Sequence, residues 1–143
     1  MIVLDTNIIS EVMRPQPSSA VLTWLDQQDT PNLFVTTITL AEIRYGLGIL
    51  PDGERKRRLT MQFEAYIGRS FEGRIFDFTA KAANHYADIM SYRRNIGLPM
   101  SMVDGQIAGI ASAHHFAVAT RNTKDFEQCG LELINPFVME NDS

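Results

Sequence analysis

The sequence predicts an α/β fold with a largely parallel sheet, and three observations carry that reading. The strand candidates are short continuous apolar runs, such as Ile2-Val3-Leu4 and Ala117-Val118-Ala119, and not alternating ones. Runs of this kind suit strands buried on both faces. Longer helical patterns separate the runs, as β–α–β connections require. A polar group, Asp5-Thr6-Asn7, then follows directly on the first run, at the strand end where sites form in open α/β sheets.

Taken in order, residues 2–5 read as the first strand and Asn7 to about Met13 as a short helix. Arg14-Pro15-Gln16-Pro17 breaks it, because proline does not fit a helix interior. Ser18 or Ser19 can cap a second helix that carries Val21, Leu22, Trp24 and Leu25. Pro31-Asn32 is a turn and Leu33–Thr36 a strand. A third helix begins near Thr39 and stops at Pro51-Asp52-Gly53, and a fourth spans about Glu54–Ser70. Arg74–Phe78 is the next strand candidate. Thr79 caps a helix reaching about Asn95, ended by Gly97-Leu98-Pro99, and another runs from Ser101 to about His115. Ala117–Thr120 is a buried strand, Asp125 marks a short helix, and Leu133-Ile134 a last strand.

With 143 residues, the chain is expected to form one domain, residues 1–143. It is 45% hydrophobic and 21% charged, an ordinary globular composition without low-complexity tracts or internal repeats. Thirteen basic and seventeen acidic residues give a net charge of -4, which argues against attachment to nucleic acid by bulk charge. Cys129 is the single cysteine, so no intramolecular disulfide forms and a reducing compartment fits. No signal peptide is apparent and no apolar run approaches membrane-spanning length. The expectation is a cytoplasmic protein with no membrane contact.

Polar residues gather near element ends: Asp5, Glu42, Asp104, and the Asn122/Asp125 pair. Each acid has a bland explanation. Thr39-Leu-Ala-Glu42 has capping-box spacing, Ser101-Met-Val-Asp104 resembles it, and Asp5 could cap the first helix. Against this, Asp104, Ala108 and Ala111 form a stripe of small residues that permits close approach, so Asp104 should face protein. An acid there needs a cation or a metal. Three acids at three element ends suggest a hard-cation site, since Mg²⁺ takes one or two carboxylates and keeps waters. Such an ion can activate water and stabilise an in-line phosphoryl displacement.

Four segments together resemble the PIN-domain ribonucleases, and among them VapC-type toxins of VapBC toxin–antitoxin pairs and their FitB-like relatives. They are Ile2-Val-Leu-Asp-Thr-Asn7, Ile38-Thr-Leu-Ala-Glu-Ile-Arg-Tyr-Gly46, Val103-Asp-Gly-Gln-Ile-Ala-Gly-Ile-Ala111 and Ala119-Thr-Arg-Asn-Thr-Lys-Asp-Phe126. Arg14-Pro-Gln-Pro17 is also FitB-like. The resemblance implies a PIN-like fold of about five mostly parallel strands flanked by helices, and a Mg²⁺- or Mn²⁺-dependent endoribonuclease site leaving 5′-phosphate ends. Asp5, Glu42 and Asp104 would be its core acids. Asn122 stands where the family often has a fourth acid, with Asp125 one helical turn on. Thr6 and Asn7 would orient substrate or water, and Thr120 would support the acids. The resemblance further implies a homodimer neutralised by a VapB-type antitoxin, with DNA reached only through that partner.

Arg14, Arg44 and Arg121 adjoin these segments and are candidates for binding RNA phosphates. Arg55-Lys56-Arg57-Arg58 reads better as solvated helix charge. His85, His114 and His115 show no zinc-ligand grouping. Two other functions compete. One is a binding module that keeps the acids but has lost catalysis, with Asn122 as its support. The other is a different α/β phosphotransfer enzyme, which the missing Asp-x-Asp opening and Walker lysine loop disfavour.

Overall fold

A computed structural model describes residues 1–138; residues 139–143 of the expected domain lie outside the described residues. Strands β1 (Ile2–Leu4), β2 (Leu33–Thr36), β3 (Ile75–Phe76), β4 (Ala117–Ala119) and β5 (Leu133–Ile134) form one sheet in the order β3-β2-β1-β4-β5. Every pairing is parallel. Val3 lies opposite Phe34 of β2 and Val118 of β4, so β1 is central. Helices α1 (Thr6–Val12), α2 (Ser19–Asp26), α3 (Thr37–Gly48), α4 (Glu54–Ser70), α5 (Ala80–Asn95) and α6 (Met102–His114) cover the sheet.

Alternation along β1 sends successive side chains to opposite faces. Leu4 joins Ile8, Ile9, Val21, Val35 and Phe63 in one half of the core, with Trp24 packed at its margin. Val3 joins Ile107, Ala108, Ala111 and Val118 in the other. A fully buried Leu or Ile of this kind contributes about 1.5–3 kcal/mol, so the strands that carry the site are anchored from both faces. From β1 the chain builds β2 and β3 on one side, then returns to build β4 and β5 on the other. The crevice at that reversal is where open sheets bind ligands. Asp5 leaves β1 there and Thr120 leaves β4.

Several boundaries differ from the sequence reading. Helix α3 starts at Thr37, because the extended Thr36, and not Thr39, is its cap; Thr36 Oγ1 accepts the Thr39 N–H at 3.2 Å. Strand β3 is only two residues long, although the Arg74 carbonyl still accepts the Val35 N–H of β2 at 3.1 Å. Of the two candidates before α2, Ser18 is the cap, and the expected caps Thr79 and Ser101 are in place. The close approach of α6 uses the neighbouring stripe. Ala108 and Ala111 face the sheet, while Gly105 and Gly109 meet α5. A Cβ on Gly109 would stand 2.8 Å from the Ala82 carbonyl oxygen.

Candidate active site

Asp5 is the N-cap of α1, as the bland reading expects, yet capping uses only one of its oxygens. Oδ1 accepts the Thr6 N–H and Oδ2 the Thr120 hydroxyl, each at 2.8 Å. The residue is 5% exposed. Burial pushes its carboxyl up to about 6; bonds from Thr120 and Thr6 oppose the shift, and the charges of Asp104 and Glu42 add to it. An acid this costly to ionise is poised to take a cation.

The capping reading fails for Glu42. Since α3 begins at Thr37, Glu42 lies more than a turn inside, and its Oε1 accepts the Thr6 hydroxyl at 2.5 Å. Asp104 occupies the first turn of α6, where Ser101 Oγ accepts its backbone N–H at 3.1 Å. Its carboxyl is raised first by burial, then by the charges of Asp125 and Glu42, while Ser101 and Arg93 act in the opposite direction. The three carboxylates line one open cleft of about 470 Å³. A neighbouring groove of about 500 Å³ between Arg14-Pro15 and α4 has no carboxylate in its lining, so acid chemistry belongs to the cleft.

Thr120 is fully buried and ties the site together. Besides donating to Asp5, its oxygen accepts the Asn122 N–H at 3.0 Å and the Asn7 amide at 3.4 Å. Asn7 Oδ1 accepts the Arg121 N–H at 3.2 Å, so Asn7 holds the loop after β4 against α1. Asn122 lines the cleft; Asp125 is not among the lining residues and reaches Asp104 through its charge.

The arginines divide. Arg14 and Arg121 line the cleft; the Arg121 guanidinium lies 4.7 Å from the Phe137 ring centroid. Arg44 is drawn away by a two-pronged ion pair with Glu64 of α4, at 3.0 and 3.1 Å. Lys56 and Arg57 pair with Asp52 and Glu54, which fits solvated helix charge. His85 bonds Ser112 and His114 stacks on Phe76, both structural uses. Sequence reasoning missed Glu11. This buried acid lines the cleft, accepts the Ser18 N–H at 2.9 Å and Arg14 Nη1 at 3.1 Å, and is held below the usual carboxylate range mainly by the Ser18 bond. The local signals were an acid on the apolar face of α1, three residues after Ile8, and Arg14 three residues further on.

Among the described residues, no three His, Cys, Asp or Glu side chains are arranged to hold a metal ion directly. The donors still suit a hard divalent cation bound by one or two carboxylates and its own waters, because burial and neighbouring carboxylate charge both raise the carboxyls of Asp5 and Asp104.

A wholly parallel sheet that opens an acidic cleft at its central strand ends defines the class, and the chain belongs to the PIN-domain family: the PIN domain model matches residues 2–130. Its relatives include VapC ribonuclease Y4jK of Sinorhizobium fredii, 42% identical over 96% of this chain and 98% of that protein. Toxin FitB of Neisseria gonorrhoeae is 40% identical over 96% of this chain and 99% of its own. The solved structure of FitAB bound to a DNA fragment superimposes with a TM-score of 0.92 at 39% identity, covering all of both chains. These relatives agree with the VapC-type, FitB-like resemblance drawn from the sequence. No helix among the described residues is long and apolar enough to cross a membrane.

Proposed function

We propose that this chain is the toxin of a type II toxin–antitoxin pair and acts as a divalent-metal-dependent endoribonuclease. The observation that carries the reading is the convergence of Asp5, Glu42 and Asp104, from three separate elements, on one cleft. The names of the relatives, a VapC ribonuclease and a FitB toxin, support it. Asp5 and Asp104 would hold Mg²⁺ or Mn²⁺, with Glu42 completing the acid set. When bound, such an ion supplies Lewis acidity and lowers the pKa of water, so no histidine base is needed. The chain's own part is positional. Thr120 and Thr6 aim the carboxylates, Asn122 faces the same space, and Arg14 and Arg121 sit where RNA phosphates would enter. Purified protein should cleave total cellular RNA with Mg²⁺ and not with EDTA, and Asp5→Ala, Glu42→Gln and Asp104→Asn should not cleave while remaining folded. Cleavage by two of these variants at near wild-type rate would remove the assignment.

The partners follow from the same reading. An antitoxin of VapB type would cover the cleft and carry the pair to DNA, as the FitAB–DNA complex suggests by analogy, in a cytoplasmic setting. Exposed Tyr45, Ile49 and Met61 support a homodimer, being large apolar side chains left uncovered in one copy. One observation favours a second reading, a catalytically weak binding module: the neutral Asn122 in place of a fourth acid. Absence of Mg²⁺-dependent cleavage with retained antitoxin binding would select it.

A further inference from the structure

We infer that Thr39 is a positioning residue whose hydroxyl sets the direction of a hydrogen-bond relay, Thr39 to Thr6 to Glu42, that holds Glu42 ready for a cation; the inference rests on the metal-site reading above. Thr6 Oγ1 lies 2.5 Å from Glu42 Oε1 and 3.0 Å from Thr39 Oγ1. A threonine hydroxyl has one hydrogen, and an ionised carboxylate only accepts. Thr6 must therefore give its hydrogen to Glu42. The remaining contact is then satisfied in one way, with the Thr39 hydroxyl donating to the Thr6 oxygen.

Thr39 is built for this role. It has no exposed surface, so water cannot stand in for its hydroxyl. Its backbone N–H is fixed by Thr36 Oγ1, and a threonine in a helix is confined to two main χ1 rotamers. The donor is thus held in place from a fully buried position, beneath a partly exposed Thr6 and Glu42. A donated hydrogen bond also polarises the next one in the chain, so Thr39 strengthens the bond from Thr6 to Glu42. It touches neither substrate nor ion and acts through Thr6. Loss of such an outer partner typically weakens metal binding by about 10–100-fold.

The test is a Mn²⁺ titration of the full-length protein by calorimetry for wild type, Thr39→Val, Thr39→Ser, Thr6→Val and the Thr6/Thr39 double valine variant, with melting in EDTA read separately. Thr39→Val should bind Mn²⁺ about 10-fold more weakly, and Thr39→Ser should bind close to wild type because the hydroxyl is restored. The double variant should bind no more weakly than Thr6→Val alone, since a relay through Thr6 is already cut there. Additive losses, wild-type affinity in Thr39→Val, or a Thr39→Ser as weak as the valine variant would each overturn the relay. Thr39→Ala replaces the valine variant if that one does not fold. A wild-type protein that takes up no Mn²⁺ would overturn the metal reading and the relay together, a result distinct from a relay that fails while wild type binds.

Discussion

Replacing Asp5 by asparagine should stabilise the metal-free protein at neutral pH while abolishing ion binding. Burial raises the Asp5 carboxyl from 3.8 to about 6, so the folded state holds this proton more tightly than the unfolded chain does. The stability from that proton is fully present below about pH 4, falls as pH rises, and is gone above about pH 6. At 1.36 kcal/mol per unit, the ionised form costs the fold about 3 kcal/mol at pH 8. Asparagine resembles the protonated acid in charge, but its one oxygen can accept from Thr120 or from Thr6 and not both, because the Thr120 oxygen already accepts from Asn122 and Asn7 and cannot take an amide hydrogen. With one hydrogen bond lost, its net gain should be about 1–2 kcal/mol, or about 2–8 °C in melting temperature for a domain of this size. Thermal melts in EDTA at pH 4 and pH 8 measure it. The variant should lead at pH 8, the gap should close at pH 4, and Mg²⁺ should raise only the wild type. An asparagine variant that melts below wild type at pH 8 in EDTA would refute the reasoning and make capping the main role of Asp5.

Gly109→Ala should cost about 1–3 kcal/mol, because its Cβ meets the Ala82 backbone at 2.8 Å with no flexible atom to yield; an unchanged melting temperature would show that α5 and α6 are packed less closely. Asn122→Ala should slow cleavage partially. Asn122→Asp should lower the Mg²⁺ concentration for half-maximal rate, because a carboxylate adds charge where the amide offers only dipole; a higher requirement would mean that this side chain does not face the ion. Sedimentation should find a homodimer at micromolar concentration, and Tyr45→Lys with Ile49→Lys should shift it toward monomer, whereas a monomeric wild type would end the homodimer reading.

The sheet was legible because Val3, Leu4 and Ala117-Val118-Ala119 are buried, with Ile2 partly so, which leaves an unbroken apolar signature. The caps at Thr79 and Ser101 were legible because each stands alone before its helix, whereas Ser18 and Ser19 competed for α2. At Thr36, Thr37 and Thr39 several residues can cap, and pairing of Thr36 with Phe76 in β3, a tertiary contact, makes the choice. That choice moved Glu42 out of the capping box and into the cleft. Arg44 misled through its nearness to Glu42 in sequence. Residues two apart on a helix do not share a face, and Glu64, twenty positions on, captures the guanidinium. Glu11 was missed since Ser18, which supplies its main bond, reaches it only when the chain turns back after Pro15-Gln16-Pro17.

Whether Asp5, Glu42 and Asp104 form one ion site is tested most directly by anomalous scattering from crystals of the protein soaked in Mn²⁺. The expected result is a peak in the cleft within coordination distance of the Asp5 and Asp104 carboxylates. A peak at Glu11 instead, or none with Mn²⁺ in excess, would contradict it.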